Sequence, residues 1–409
     1  MPPGGSGSIR SYTIAKQLVK KGYDITLITT SARFKRGFKL KNKINHLKIE
    51  GIELIVLKIS YSNRFSYFRR IKAFVEYAVL ATLLSKKSHR FDLIFASSTP
   101  LTVAIPALIA KIWHRIPLIF EVRDLWPEVP IAMGVIRKRW LIWVLLQLEK
   151  LIYRRAEHII ALSPDMKDSI VETQVPEEKV SVIPNFSDNE LFSVETENRE
   201  EFQKKIPFLG SKPLVIYTGT FGTVNDLSYL IRLAAAMRQL DPETTFVLVG
   251  TGKEEEKLRI LAARTGVINR NLWFLPPVAK KSLPGIISCA TVTVSTVANN
   301  PALWKNSANK LFDAFAAGKP IMINHYGWQA ELLRRRNAGL VVPPEDPTRG
   351  AHLLHEFIHD HQRYALACSE AKRLAEEQFD SSSLVGKIEA IIASILRTEP
   401  VITGPFSAS

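Results

Sequence analysis

The sequence predicts an α/β protein built of two doubly wound, Rossmann-like domains. Three observations predict it. The chain has 409 residues, and ordinary domains run to about 100–200 residues. Short β-branched runs alternate with helical patterns throughout. The alternation occurs twice, once on each side of a turn-rich segment at Pro184–Asn185. Short apolar strands separated by helices imply parallel sheets buried on both faces.

In the first half, strands are predicted near Asp24–Thr30, Ile52–Lys58, Asp92–Ala96, Pro117–Glu121, His158–Leu162 and Val180–Ile183. Helices fall between them, as at Ser11–Lys21 and Phe68–Ser85. In the second half, strands are predicted near Leu214–Thr218, Phe246–Val249, Leu272–Leu275, Val292–Ser295, Ile321–Asn324 and Leu340–Val342. Helices there include Asp226–Arg238, Glu254–Arg264 and Ala308–Ala317. The domains are therefore placed at residues 1–185 and 200–380, joined by a polar stretch read as a surface helix. Residues 398–409 are expected to be a disordered tail.

The opening segment PPGGSG reads as a loop that follows a strand and starts a helix. No strand precedes it. The first strand of a doubly wound sheet is central, so its loss would leave buried N–H and C=O groups unpaired. The expectation is that this strand lies upstream of Met1. A smaller sheet is the alternative.

Composition narrows the class. Hydrophobic residues make up 46% and charged residues 23%, which excludes wholesale disorder. Two cysteines, Cys289 and Cys368, cannot form a disulfide framework or a paired zinc knuckle, and a reducing cytoplasm is expected. The first residues hold no apolar stretch of the secretory type. The apolar runs Ala73–Leu84, Leu101–Trp113 and Trp140–Leu148 are shorter than the ~18–20 residues of a spanning helix.

The net charge of +16 is unevenly placed. Residues 1–150 carry 26 Lys and Arg against 9 Asp and Glu, whereas residues 186–409 carry 25 against 24. The stretch Arg33–Lys48 has seven basic residues, no acid, and Phe34 and Phe38 between them. Arg69, Arg70 and Lys72 open one apolar helix, and Arg137, Lys138 and Arg139 open another. Basic and aromatic residues beside apolar helices suit peripheral attachment to anionic lipid. Nucleic acid would also suit the charge, but no nucleic-acid module is recognisable. The helix from Trp140 to Tyr153 is apolar nearly all round and is read as a core helix rather than an insertion site.

Candidate chemistry sits at strand ends. Gly4, Gly5 and Gly7 precede a helix, where glycine permits close backbone approach and the helix N-terminus favours anions. Gly219, Thr220 and Gly222 stand in a second strand–loop–helix turn of the same form, and Gly250 ends the next strand. A plain connection would also explain these. In NSANKLFDAFAAGKP, Asn306 and Ser307 are predicted N-caps, Gly318 a C-cap and Pro320 a stop. Asn309, Lys310 and Asp313 lie in the first turns of that helix. Amides and a lysine suit a diphosphate, and a carboxylate suits paired hydroxyls. A solvated Lys310–Asp313 surface pair is the plainer reading. Arg123 and Asp124 follow the strand ending at Glu121, at the sheet edge where ligands bind. Asp124 could orient or deprotonate an acceptor hydroxyl and Arg123 could meet a phosphate bidentately, or the two could be a structural pair. His325 also follows a strand end but is read as structural.

These segments carry a resemblance. PPGGSGSIRSYTIAKQLVKKGYDITLIT, FASSTPLTVAIPALIA, FEVRDLWPE, ALSPDMKDSI, VIPNFSD, FVLVGTGKEEEKL and NSANKLFDAFAAGKPIMINHYGWQAELL resemble bacterial family 4 glycosyltransferases of the GT-B fold that build cell-surface polysaccharide. The resemblance runs from Pro2 to about Ile395. It implies two domains facing a cleft, with a helix near Ser383–Leu396 crossing back to the first. It implies a donor site for a nucleotide-sugar, expected to be UDP-linked, at Gly219, Thr220, Gly222, Gly250, Asn309, Lys310 and Asp313. It implies an acceptor site at Gly4, Gly5 and Arg123 for a polyprenyl-diphosphate-linked saccharide, with Asp124 as the catalytic residue. It further implies transfer with retention, no metal or other cofactor, and a place on the inner face of the cytoplasmic membrane. No DxD metal motif is apparent.

One departure stands out. The family has a Glu-x7-Glu pair at this helix; here Asp313 holds the second position and Lys305 stands eight residues before it. An ammonium cannot accept hydrogen bonds from sugar hydroxyls. Recognition is then expected through Asn306–Asn309. A GT-B sugar epimerase and a membrane-bound scaffold with a degraded donor site are the alternatives.

Overall fold

In the computed structural model, residues 10–34, 40–61, 65–85, 91–193 and 212–398 are described. Gly4, Gly5, the expected surface helix and the tail beyond Thr398 lie outside them.

The second half forms the more regular body. β8 (Leu214–Thr220), β9 (Thr245–Thr251), β10 (Leu272–Leu275), β11 (Val292–Ser295), β12 (Ile321–Ile323) and β13 (Gly339–Val341) form one parallel sheet in the order β10-β9-β8-β11-β12-β13. Its strands are short and β-branched because both faces are covered, and Val215, Phe246, Leu248 and Val294 lie in a buried core.

The first half divides its strands. β1 (Thr26–Thr30), β2 (Ile44–Ile49) and β3 (Ile52–Leu57) pair in the order β1-β3-β2. β4 (Ile94–Ser97), β5 (Leu118–Val122), β6 (His158–Ala161) and β7 (Val180–Val182) form a separate parallel sheet in that order. The strand expected ahead of Pro2 is not among the described residues, and the two sheets part between β1 and β4. Helix α1 (Arg10–Lys20) spans the division. Its Tyr12 and Ala15 pack with Ile52, Leu54 and Val56, and its Ile14 and Leu18 with Ile119 and Ile160.

β2 was not predicted. Its alternating INHLKI pattern sits at the end of the basic stretch, and it pairs antiparallel with β3 at an edge. An antiparallel edge strand needs only one buried face, so its polar residues gave no strand signal by themselves.

Three helices cover one side of this half. They are α2 (Tyr67–Ser85), α3 (Ala104–His114) and α5 (Arg139–Arg155), with the short α4 (Glu128–Ala132) before the last. Here one expectation fails. Helix α5 is not a core helix: it buries only Glu149, Ile152 and Tyr153, while Trp140 is 64% and Trp143 63% exposed. An all-round apolar pattern shows that a helix has no polar face; it does not show that protein covers it.

Helix α6 (Pro164–Val171) follows β6. In the second half the sequence continues through α7 (Leu227–Leu240), α8 (Glu255–Arg264), α9 (Asn309–Ala316), α10 (Trp328–Arg336), α11 (Pro347–His359) and α12 (His361–Arg373). Helix α13 (Ser381–Thr398) then packs on α1, where Gln17 donates to Ser381 Oγ at 3.0 Å and Lys21 pairs with Glu389. No described helix is long and apolar enough to cross a membrane.

Candidate active site

Three consecutive residues at the end of β4 brace the end of β5. Ser97 Oγ donates to Glu121 Oε2 at 2.6 Å. Ser98 Oγ accepts from the Arg123 amide at 2.9 Å, and Thr99 Oγ1 donates to Asp124 Oδ2 at 2.8 Å. The parallel pairing of β4 with β5 sets this register, with Ser97 opposite Glu121.

Glu121 is fully buried and pairs with the buried Arg10 at 2.7 Å. Burial opposes its charge, but Arg10, Arg123 and the Ser97 hydrogen bond outweigh it and hold the carboxyl below its usual range. Arg10 also donates to the carbonyls of Ile183 and Pro184, at 3.0 and 2.6 Å. One guanidinium thus locks the start of α1 to β5 and to the chain after β7. Neither residue was predicted as functional. Their signal was an acid within FEVRDLWPE and a base at the start of the first helix, but nothing local links positions 111 residues apart.

Asp124 is open to solvent at the strand end yet closely surrounded by protein. Desolvation raises its pKa above the usual carboxylate value, against the Thr99 bond and the Arg123 charge. A raised value suits a group that takes a proton near neutral pH.

The second half builds its side from backbone. Gly219 and Gly250 are opposed in the β8–β9 register. A Cβ on Gly250 would lie 1.8 Å from the Gly219 carbonyl oxygen, so only glycine lets the strands close. Phe221, fully buried against Tyr217 and Phe274, anchors the loop, and Tyr217 Oη and Asn225 Nδ2 donate to the Thr220 carbonyl at 2.9 and 2.8 Å. Gly219 and Thr220 are exposed at the strand end, and Gly222 is half-buried.

Lys310 crosses this turn. Its ammonium sits 5.0 Å from the centre of the Tyr217 ring, and a Cβ on Gly219 would lie 2.9 Å from its Cε. Among the described residues no carboxylate pairs with it. Burial lowers its pKa to about 8, partly offset by Asp313. A desolvated ammonium beside backbone amides favours an anion. Asn309 is exposed at the helix start.

Asp313 is buried and paired with Lys280 rather than with Lys310, so the surface-pair reading does not hold. The caps also differ from expectation. Helix α9 begins after Ala308, with no side-chain cap. Ser307 Oγ instead accepts from the Asn185 amide at 3.2 Å, and Asn185 Nδ2 donates to the Ser307 carbonyl at 2.6 Å. Asn306 Oδ1 accepts from Gln329 at 3.1 Å, and its carbonyl from Trp328 Nε1 at 2.7 Å. Both side chains tie the halves and neighbouring helices together, which leaves the first turn of α9 without a side-chain cap among the described residues.

Lys305 has a partner the sequence did not reveal. Its ammonium bonds Glu128 Oε1 and Ser169 Oγ, each at 2.8 Å, and its carbonyl accepts from Ser163 Oγ at 2.6 Å. Asp165 accepts from the Trp328 amide at 3.2 Å, and Ser187 Oγ donates to the Phe312 carbonyl at 3.0 Å. The two halves therefore meet in a hydrogen-bonded seam beside the two strand-end clusters. His325 is buried, with Nδ1 2.8 Å from the Tyr326 carbonyl, and burial lowers its pKa to about 4, so the imidazole is neutral.

Residues 5–185 match the family described as Glycosyl transferase 4-like domain. Residues 198–375 match Glycosyl transferases group 1. Between them these two domains account for most of the chain, which belongs to the family 4 glycosyltransferases of the GT-B fold.

An uncharacterized glycosyltransferase of Methanocaldococcus jannaschii is 23% identical over 46% of this chain and 47% of its own, so the chain spans about half of that relative's length. The probable glycosyltransferase WbjE of Pseudomonas aeruginosa is 23% identical over 67% of this chain and 68% of its own. Among solved structures, Anabaena HepE in complex with UDP-glucose superposes with a TM-score of 0.64 at 22% identity, over 77% of this chain and 82% of that one.

Proposed function

We propose that this glycosyltransferase moves a sugar, with retention and without a metal, from a nucleoside-diphosphate donor to a lipid-linked saccharide at an anionic membrane surface. The donor is UDP-linked in this reading, which the UDP-glucose held by HepE supports. The observation that carries the reading is the position of Lys310, desolvated against Gly219 at the end of β8 with no carboxylate partner among the described residues. That is where a diphosphate would find both amides and a cation.

In this reading the bond from the sugar C1 to the diphosphate oxygen breaks, and Lys310 and the first turn of α9 take up the leaving charge. The acceptor hydroxyl bonds to C1 and gives its proton to Asp124. Arg123 lies beside Asp124, where it could hold the acceptor phosphate bidentately. With Lys305 engaged by Glu128, the usual first carboxylate has no counterpart, and the sugar would meet the α9 backbone instead. The polyprenyl-diphosphate carrier and an inner-leaflet location come from the family resemblance, with the basic first half as support, and the product would enter O-antigen, capsule or exopolysaccharide.

Thermal melts of the full chain with UDP, GDP and ADP test the donor reading. A ligand at about 100 times its dissociation constant adds about 2.7 kcal/mol of stability. A shift with UDP alone supports it. A shift with GDP alone reassigns the donor. No shift with any of the three favours a scaffold with a degraded site.

A further inference from the structure

Helices α2, α3 and α5 lie side by side over the first-half sheets, with α3 packed against both of the others. Each has a buried side. Ala73 and Ala81 of α2, Ala107 and Leu108 of α3 and Ile152 of α5 face the core. Their other sides are apolar as well. On α2, Val75, Val79 and Leu83 repeat at four-residue spacing and are each more than half exposed. Four residues is one helical turn, so they form a single stripe. On α5, Trp140, Trp143, Val144 and Leu151 are exposed in the same manner, and Ile112 and Trp113 are exposed at the end of α3. Soluble monomers seldom leave apolar residues in continuous stripes; such surfaces mark interaction sites.

Among the described residues, the charge around this surface is predominantly positive. Arg69 and Lys72 on α2, Arg137, Lys138 and Arg139 at the start of α5, and Lys150, Arg154 and Arg155 further along it are exposed. Of the acids on these helices, Glu76 is neutralised by Lys43, and Glu149 is buried beside Tyr153. Lys58, Arg69 and Lys72, together with Glu76, line a hollow of about 350 Å³ at the start of α2. Tryptophan and aliphatic side chains bordered by Lys and Arg suit the boundary between lipid headgroups and acyl chains. Each basic residue near an anionic surface adds to the attraction.

We infer that the outer face of α2, α3 and α5 is a docking surface for an anionic lipid bilayer, with Trp140, Trp143 and the Val75–Val79–Leu83 stripe entering the headgroup boundary. This deepens the proposed membrane reading and rests on it for its purpose, but it concerns residues outside the strand-end site.

The test is sedimentation of the full chain with vesicles of phosphatidylcholine alone and with vesicles containing about 30% phosphatidylglycerol, an anionic surface. Binding should be at least about tenfold tighter with the anionic lipid and should weaken at high salt. Trp140→Ser with Trp143→Ser, and separately Val75→Asp with Val79→Asp, should each weaken it about tenfold or more. Ile260→Asp, at an exposed apolar site on α8, should not change it. Unchanged binding by both double variants overturns the inference. So does a chain that ignores vesicles but forms a dimer that these substitutions split, which would make the face a contact between copies. The UDP-induced thermal shift, followed in the same variants, should persist. A missing shift in the unaltered chain with vesicle binding intact would defeat the donor reading and leave the docking surface standing.

Discussion

In the second half, six parallel strands run unbroken and the strand-end site is made of backbone: glycines opposed across β8 and β9, and the uncapped turn of α9. In the first half the strands part into two sheets, and the strand-end site is made of side chains: Ser97, Ser98 and Thr99 bracing Glu121, Arg123 and Asp124. The charge differs too, at 26 basic against 9 acidic residues in positions 1–150 and near balance after residue 186. A backbone cradle suits a donor diphosphate, whose geometry is fixed. A side-chain cluster on a basic, apolar-faced body suits an acceptor that arrives with a lipid. The two halves should therefore respond differently to substitution, and that difference can be tested.

Asp124→Ala should have the largest effect. Loss of a general base should lower turnover by about 10²–10⁴-fold while leaving the UDP-induced shift in place. Loss of that shift as well would mean that the halves do not divide the labour in this way.

Gly250→Ala should do the reverse. A Cβ 1.8 Å from the Gly219 oxygen forces β8 and β9 apart. Chemical denaturation should show a loss of about 1–3 kcal/mol, with UDP binding reduced. An unaffected variant would show that the glycine pairing does not shape the turn.

Lys310→Met should raise the dissociation constant for UDP by about 10–100-fold, as expected for a charge-assisted contact. Lys310 titrates at about 8 before a ligand arrives. A bound diphosphate favours the ammonium and raises that value, so binding takes up a proton above it. Calorimetry should find affinity falling as pH rises through about 8 in the unaltered protein, and Lys310→Met should remove that component. A pH dependence that survives the substitution would point to another group.

Lys305→Ala should be the mildest. The Lys305–Glu128 pair is partly exposed, and such pairs contribute at most about 1 kcal/mol. Lys305→Glu differs, because it places like charges at the seam. Restoring stability by the added Glu128→Lys would confirm the pair as the reason Lys305 is accommodated.

Periodicity and turn chemistry made most strands visible in the sequence, along with the position of Gly219 and Gly250 and the helix that carries Lys310. These are local properties, fixed by neighbours along the chain. The tertiary structure decided the rest. Lys305 could be seen as a departure, but its partner Glu128 lies 177 residues away. Asp313 could be placed one turn from Lys310, yet Lys280 claims it. Asn306 and Ser307 looked like caps, but Gln329 and Asn185 reached them first. Helix α5 was visibly apolar, but whether protein or lipid meets Trp140 and Trp143 depends on which elements fold over it. Ion pairs and covered faces join residues distant in sequence, and only the packed chain determines which of them meet.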